Sequence, residues 1–256
     1  MKILSKHYLV IALIGLTSFS FALTTSANSQ TEIISPPLVM NEQDPYEGFN
    51  RTMFDFNMVF NDTFGKPAAN VYNGILPQPI RTGISNFFDN LSTPVSAINS
   101  FLQGKPEDGL SEIMRFTINT TFGLFGLLDI AQPAGLEAKN EDLGQTLYHW
   151  GLWEESSYMV LPFVGPYTTR ELAGGIADSS YDPVYTQLIE ADETERRWIF
   201  MTNGFIEYTK VVELIDDVKN QPDPYVFTRE SYLQHRTNLI FDGKAPQADL
   251  DDFNFE

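Results

Sequence analysis

The chain has 256 residues, with 34 acidic against 16 basic side chains and a formal net charge of −18 at pH 7. This acidity argues against binding to nucleic acid or to anionic lipid by charge, so any membrane contact must come from apolar burial. The chain has no cysteine, which excludes disulfides and lipid attachment through cysteine, and its 20 phenylalanines must be packed or presented to a partner.

Residues 1–27 have the pattern of a cleaved secretory signal peptide, with an uncleaved N-terminal anchor as the alternative. Two lysines precede an apolar run, Tyr8–Leu16, and Thr25–Ala27 offers small residues for cleavage. Residues 28–43 are polar and indicate an extended lead-in. Export without disulfides is compatible with a periplasm-like compartment.

The first helix is predicted to start at Asp44-Pro45, because aspartate can cap a helix and proline suits its first position. Pro67 is expected to end it. Large apolar residues recur on one face of this helix: Phe49, Met53, Phe56, Phe60 and Phe64. They form either an ordinary core-facing stripe or a membrane-facing stripe, although the basic polar face of most interfacial helices is missing.

Two short helices, Arg81–Leu91 and Val95–Leu102, are predicted next, separated at Pro94. Another helix is expected to start around Gly104–Asp108, because proline and acidic residues lie in its first turn. Its predicted apolar face comprises Leu110, Ile113, Met114, Thr117 and Thr121.

That helix leads into Phe122–Ala131, which has six large apolar side chains in ten positions, two glycines and one charge. The segment has neither clean helical periodicity nor strict alternation. It is too short to cross a bilayer, which takes about 20 apolar residues as a helix. It is therefore either a core-filling loop or a loop that faces an apolar environment.

The remaining pattern is again mostly helical. We predict four helices, over Asn140–Trp150, from Thr168 or Thr169 to about Asp178, from Asp192 towards Val218, and over Phe227–Leu239. One candidate strand lies at Tyr158–Leu161 and is followed by a turn at Pro162–Pro166. The segment Tyr181–Glu190 is a loop or a short helix. Residues 242–256 indicate a disordered acidic tail. The chain is therefore predicted to be all-α, with one domain of many short helices over residues 44–241 and little or no strand.

Motifs of catalysis, phosphate binding and metal binding are missing from the sequence. His149 and His235 are far apart, and each is interpreted as a hydrogen-bonded or surface histidine rather than a catalyst. Neighbouring acids such as Glu154-Glu155 diverge on a helix and do not converge on a metal. We expect no enzymatic activity, no metal and no cofactor.

Several segments, in this order, resemble the MlaA/VacJ family over roughly Asp44–Leu239. They are Asp44-Pro45-Tyr46-Glu47-Gly48-Phe49-Asn50-Arg51-Thr52-Met53-Phe54-Asp55-Phe56-Asn57, Pro77-Gln78-Pro79-Ile80-Arg81, Asn99-Ser100-Phe101-Leu102-Gln103-Gly104, Arg115-Phe116-Thr117-Ile118-Asn119-Thr120, Leu161-Pro162-Phe163 with Gly165, Arg170 and Ala177-Asp178, and Asp223-Pro224-Tyr225 with Arg229-Glu230 and Tyr232. The number and order of these segments make the resemblance specific.

The resemblance implies a ring-like, membrane-embedded helical assembly at the periplasmic face of the outer membrane, associated with a trimeric porin. An amphipathic channel would pass mislocalised glycerophospholipid from the outer leaflet to a soluble periplasmic lipid carrier, which maintains lipid asymmetry. The family is described as lipoproteins, whereas this chain has no cysteine. Attachment would then rest on apolar helices and porin contacts, unless the true start differs. The acidic tail would dock the carrier or simply aid solubility.

By the same resemblance, Phe122–Ala131 corresponds to a glycine-rich loop beside the channel, in which the glycines supply mobility. The implied channel and gating candidates are Phe122, Gly123, Gly126, Leu127, Asp129, Arg170 and Asp178. Asp129 is otherwise a cap or turn former, and Arg170 and Asp178 are otherwise an ordinary helix-end ion pair. The alternative function is that of an envelope structural protein whose phenylalanine-rich helices bind a protein partner without lipid transfer.

Overall fold

The computed structural model describes residues 44–188 and 192–244. The predicted signal peptide, the lead-in and residues 245–256 of the predicted tail lie outside the described residues. The described chain is helical apart from one small hairpin, which confirms the all-α class. Its elements are α1 (Glu47–Phe60), α2 (Lys66–Ile75), α3 (Gln78–Leu102), α4 (Pro106–Thr121), α5 (Leu143–His149), β1 (Tyr158–Leu161), β2 (Gly165–Thr168), α6 (Thr169–Tyr181), α7 (Glu193–Lys219) and α8 (Pro224–Ile240).

Two prolines that were predicted to interrupt helices lie within helical segments. Pro67 is in the first turn of α2, which continues from α1 through a π-helical turn, Asn61–Gly65, that widens the helix just before the proline ring. Pro94 lies inside α3, where the hydroxyls of Ser92 and Thr93 donate to the Asp89 carbonyl. The predicted helix ends at these prolines were wrong. At Pro94, packing of α3 along α4 stabilises a helix that the local sequence disfavours.

The start of the helical region also differs from the prediction. The residue before α1 is Tyr46, and it makes no side-chain cap. The Asp44 carboxylate is instead buried, where it accepts hydrogen bonds from Asn50 (2.7 Å), Tyr225 (2.5 Å) and Arg229 (3.0 Å). Asp44 therefore joins the first described residues to α8, because the charge of Arg229 offers a stronger partner than the backbone of its own helix.

The strand prediction at Tyr158–Leu161 is confirmed. β1 pairs antiparallel with β2, with Tyr158 opposite Thr168, so the predicted turn shrinks to residues 162–164. Thr168 then caps α6 in a capping box with Glu171, as predicted for one of the two threonines. Asp192 caps α7 in the same way.

The apolar core is small and lies where α1, β1 and α8 meet. Phe54, Tyr158, Val160 and Tyr225 are buried there, and partly buried residues of α1, α7 and α8 surround them. The rings of Phe54 and Tyr225 meet edge to face at 5.8 Å. In the described part of the chain, more large apolar side chains are exposed than buried. None of the described helices is both long and apolar enough to cross a membrane.

Candidate functional site

Helix α1 and the π-helical turn after it bury two asparagines and expose three phenylalanines of the predicted stripe. Asn50 and Asn61 are buried on the same side as Phe54. Asn50 donates to the Tyr158 carbonyl at 3.1 Å and accepts from the Val160 amide at 2.9 Å, which docks the helix on β1. Within the predicted stripe, Phe49, Phe56 and Phe64 are exposed, and Met53 and Phe60 are partly buried. The core-facing interpretation is therefore wrong for these three phenylalanines, and their membrane-facing role stays a prediction.

Helix α4 shows the same inversion. Leu110, Ile113 and Met114, which belong to the predicted apolar face, are exposed. The buried positions are instead Gly109, Glu112, Arg115 and Asn119, at helical spacing. Burial raises the pKa of Glu112, although its carboxylate accepts the Lys139 amide at 2.6 Å. The predicted face is correct as a set of residues, but it points outward.

The segment Phe122–Ala131 exposes its apolar side chains. Phe122 is 71% exposed and Phe125 is 75% exposed, and Leu124, Leu127 and Leu128 are exposed as well. Leu124 and Phe125 have positive φ angles of 54° and 61°, so the chain reverses direction here rather than extending α4. The core-filling interpretation is therefore wrong for these side chains, and the loop faces away from the protein interior.

The two glycines of this loop allow close backbone packing. Gly126 has a φ of 93°, and a Cβ there would lie 2.7 Å from the Asn90 side chain. A Cβ on Gly123 would collide with the carbonyl oxygens of Asn119 and Leu128. The predicted mobility of the loop stays a prediction, and a larger residue at Gly126 cannot test it because it would strain the fold.

Asp129 anchors the loop on α4. Its carboxylate accepts from Asn119 (2.9 Å), from Arg115 (3.1 Å) and from the Gln132 amide (3.1 Å). Burial alone would raise the pKa of Asp129, but the bonds from Gln132, Asn119 and Arg115 outweigh it and hold that pKa below its usual range. Asn119 also accepts the amides of Ile130 and Ala131. Asp129 thus forms a turn and also pairs with a buried arginine.

Arg170 and Asp178 lie on α6, are both buried and have separate partners. Asp178 accepts from Asn99 at 3.0 Å, from the Leu143 amide at 2.9 Å and from the Tyr181 hydroxyl. Burial raises the pKa of Asp178 despite these bonds. Arg170 instead contacts backbone carbonyls before β1 and lines a cavity. Within the described residues they do not form an ion pair with each other, and neither is hydrogen-bonded to the Asp129 cluster.

Sequence reasoning missed the buried polar residues that hold these elements together. Asn50, Asn99, Arg229 and Arg236 are all buried and hydrogen-bonded. The available signal was the helical spacing of polar residues beside each apolar face, such as Asn50, Asn57 and Asn61. His149 and His235 are exposed. Across the residues that the structure describes, no cluster of histidine and acidic side chains could hold a metal ion.

Residues 42–239 match the family model described as "MlaA lipoprotein". The chain belongs to the MlaA family. The intermembrane phospholipid transport system lipoprotein MlaA of Escherichia coli K12 is 34% identical over 228 residues, which cover 83% of this chain and 88% of the relative. The protein of the same name from Haemophilus influenzae is 32% identical over 235 residues, or 90% of each chain.

A solved structure supports the same assignment at the level of the fold. It is described by the words "Structural basis for maintenance of bacterial outer membrane lipid asymmetry" and superposes with a TM-score of 0.67 at 34% identity. The match covers 77% of this chain and 98% of the other. The chain therefore shares its fold with this structure over most of its length.

Proposed function

We propose that this chain is the outer-membrane component of an intermembrane phospholipid transport system. It removes mislocalised phospholipid from the outer leaflet and so maintains lipid asymmetry. Membership of the MlaA family and the names of its relatives support the pathway. The single observation that carries the proposal is the inverted surface of α4 and of the loop after it, where large apolar side chains are exposed while Glu112, Arg115 and Asn119 are buried.

The outward side chains of α1, α2 and α4 and of the Phe122–Ala131 loop supply the membrane contact. Transfer of one phenylalanine from water to an apolar medium contributes about 1.5–3 kcal/mol, so a few such residues suffice to hold the protein in a leaflet. The net charge of −18 offers no electrostatic substitute on an anionic surface. We place the protein at the periplasmic face of the outer membrane, held by these side chains and a trimeric porin.

The inward polar side chains supply the lipid path. A ring-like arrangement of helices would surround an amphipathic channel, with the loop as a flexible wall and Asp129, Arg170 and Asp178 near the headgroups. Polar groups along such a path lower the cost of moving a charged headgroup past hydrocarbon. No covalent step is needed, so the protein is a transporter rather than an enzyme, and a soluble periplasmic carrier receives the lipid.

A deletion strain tests this proposal. We expect more phospholipid on the cell surface and greater detergent sensitivity, with both defects reversed by the full chain on a plasmid. His149→Ala should restore function equally well and serves as a matched control, because this exposed histidine has no role in the path. Unchanged surface phospholipid in the deletion strain would refute the proposal.

Mass spectrometry of lipids extracted from the purified protein separates this function from a structural role. Lipid transfer predicts co-purified glycerophospholipid. A structural envelope protein, whose exposed phenylalanines bind another protein, predicts none. Tagged protein should also fractionate with the outer membrane despite its lack of cysteine.

A further inference from the structure

A cavity of about 970 Å³ lies between the segment after α5, the start of α6 and helix α8. Its volume is at the upper end of the range of roughly 300–1,000 Å³ that small-molecule sites occupy. Hydroxyl groups of Ser156, Ser157 and Thr169 form a polar wall, and Leu233 and Ile240 of α8 form an apolar one. Such a cavity suits a molecule with a polar end and an apolar end.

Arg170 is a buried cation without a carboxylate partner at this cavity. Its Nη1 donates to the carbonyls of Trp153 (2.9 Å) and Glu154 (2.8 Å), and its guanidinium lies 5.0 Å from the centre of the Tyr148 ring. Among the described residues, its buried Nε has no hydrogen-bond partner. A buried charge normally requires an ionic partner. Asp142 and Glu171 act on this guanidinium electrostatically, but within the described residues no carboxylate forms an ion pair with it.

The second arginine of the cavity, Arg236, also has an Nε without a hydrogen-bond partner among the described residues, but it differs from Arg170 in its ionic partners. Arg236 donates to Asp142 at 2.8 Å and lies 3.4 Å from Glu171, so two carboxylates already neutralise it. Arg170 is therefore the cavity group that is suited to receive a phosphodiester, with the bidentate geometry that arginine offers to phosphate.

Carboxylates line the same cavity. Glu154 and Glu155 are exposed, and within the described residues neither forms an ion pair. They repel a ligand whose net charge is negative, and they attract an ammonium group. The cavity thus combines a buried cation with exposed carboxylates, and this charge arrangement is complementary to the anionic and cationic groups of a zwitterion.

We propose that this cavity binds the headgroup of a zwitterionic phospholipid, with the phosphodiester on Arg170 and the ammonium group facing Glu154 and Glu155. The inference rests on the proposed transport function and adds the class of headgroup and its site. The apolar wall of α8 then contacts the glycerol and the first part of the acyl chains.

Binding to the purified protein in detergent micelles tests this site by calorimetric titration. The probes are dihexanoyl phosphatidylethanolamine, dihexanoyl phosphatidylglycerol and inorganic phosphate. We expect the zwitterionic lipid to bind about tenfold more tightly than either of the others. Arg170→Gln should weaken its binding about tenfold or more, because it removes the charge-assisted bonds to phosphate.

Glu155→Gln should reduce the ratio of the affinities for the zwitterionic lipid and for phosphatidylglycerol by about threefold or more. Of the three glutamates that line the cavity, Glu230 already pairs with Arg229, so the substitution removes one of the two carboxylates without an ion pair. The control, Glu137→Gln, changes an exposed acid outside the cavity and should leave the preference intact. Circular dichroism checks the fold of each variant. If Arg170→Gln does not fold, the exposed Glu155 decides the outcome: a narrowed preference supports the site, and an unchanged one overturns it.

The remaining outcomes are distinct. If the wild-type protein binds phospholipid and Arg170→Gln binds it as tightly, the site is overturned and the transport function stands. Equal binding of the two lipids overturns the zwitterionic class, and equal binding of inorganic phosphate shows a free-anion site instead. A wild-type protein that binds no phospholipid contradicts the transport function as well.

Discussion

Replacement of Asp129 by asparagine tests whether the apolar loop is held by its polar anchor. The carboxylate accepts three hydrogen bonds, one of them from Arg115, whose side chain is buried. Hydrogen bonds to charged groups contribute about 1.5–3 kcal/mol each, but Asp129 is partly exposed and the amide oxygen retains part of the bonding. Arg115 also keeps the Leu136 carbonyl as an acceptor. We therefore expect a loss of about 2 kcal/mol in the free energy of unfolding.

Urea unfolding at a fixed detergent concentration measures this loss. Hydrogen exchange at the amides of Ile130 and Ala131, which bond to Asn119, reports the loop itself and should accelerate. Asp108→Asn is a matched control, because it removes a half-exposed ion pair with Lys139 and should cost about 0.5 kcal/mol or less. Equal losses in the two variants, or unchanged exchange in Asp129→Asn, would refute the anchoring role.

The same anchor has a defined pH dependence. The pKa of Asp129 in the folded protein lies below its ordinary value of 3.8, so the carboxylate stabilises the fold above that value. This contribution is lost as the pH falls through the lower folded-state pKa. The stability difference between wild type and Asp129→Asn should therefore be constant near neutrality and shrink below about pH 4.

Three further changes follow from the structure. Asp44→Asn should lower the free energy of unfolding by about 3 kcal/mol, because Arg229 then loses its buried partner. The double variant with Arg229→Gln should lose less stability than the sum of the two single variants. Additive losses would contradict the pairing. Gly126→Ala should destabilise by about 2 kcal/mol because of its positive φ, whereas Gly204→Ala, with open space around it, should be neutral or stabilising in the same unfolding assay. Phe64→Ser, in the π-helical turn after α1, should leave the unfolding free energy in detergent unchanged but reduce partitioning into phospholipid vesicles about tenfold. Full retention in the vesicle fraction would argue against a membrane-facing role of this phenylalanine.

Local sequence predicted the helices where capping and proline patterns agree with packing. Thr168 and Asp192 cap the helices that follow them. Helix α4 starts at Pro106, within the segment where proline and acidic residues predicted a helix start. The same rules failed at Pro67 and Pro94, which lie within helical segments. There, neighbouring helices and a π-helical turn compensate for the missing backbone hydrogen bonds, and no local pattern reports such compensation.

The site was less predictable than the elements. The resemblance drew attention to the loop and to α6, but not to the absence of an ionic partner for Arg170. That property depends on residues before β1, on Tyr148 of α5 and on α8, which the fold brings together from distant parts of the chain. Likewise, the pairing of Asp44 with Arg229 joins residues 185 positions apart.

The sequence by itself determined the all-α class, the membership of the MlaA family and which residues share a helix face. Only the tertiary structure decided the direction of each face. Helical spacing groups Phe49, Phe56 and Phe64, but it does not say whether they meet the protein interior or another apolar medium. The polar residues decided the direction. Asn50 hydrogen-bonds to the backbone of β1 and Arg115 donates to Asp129, so these polar side chains keep hydrogen-bond partners when they are buried. The apolar side chains are left outside, where a lipid leaflet can cover them.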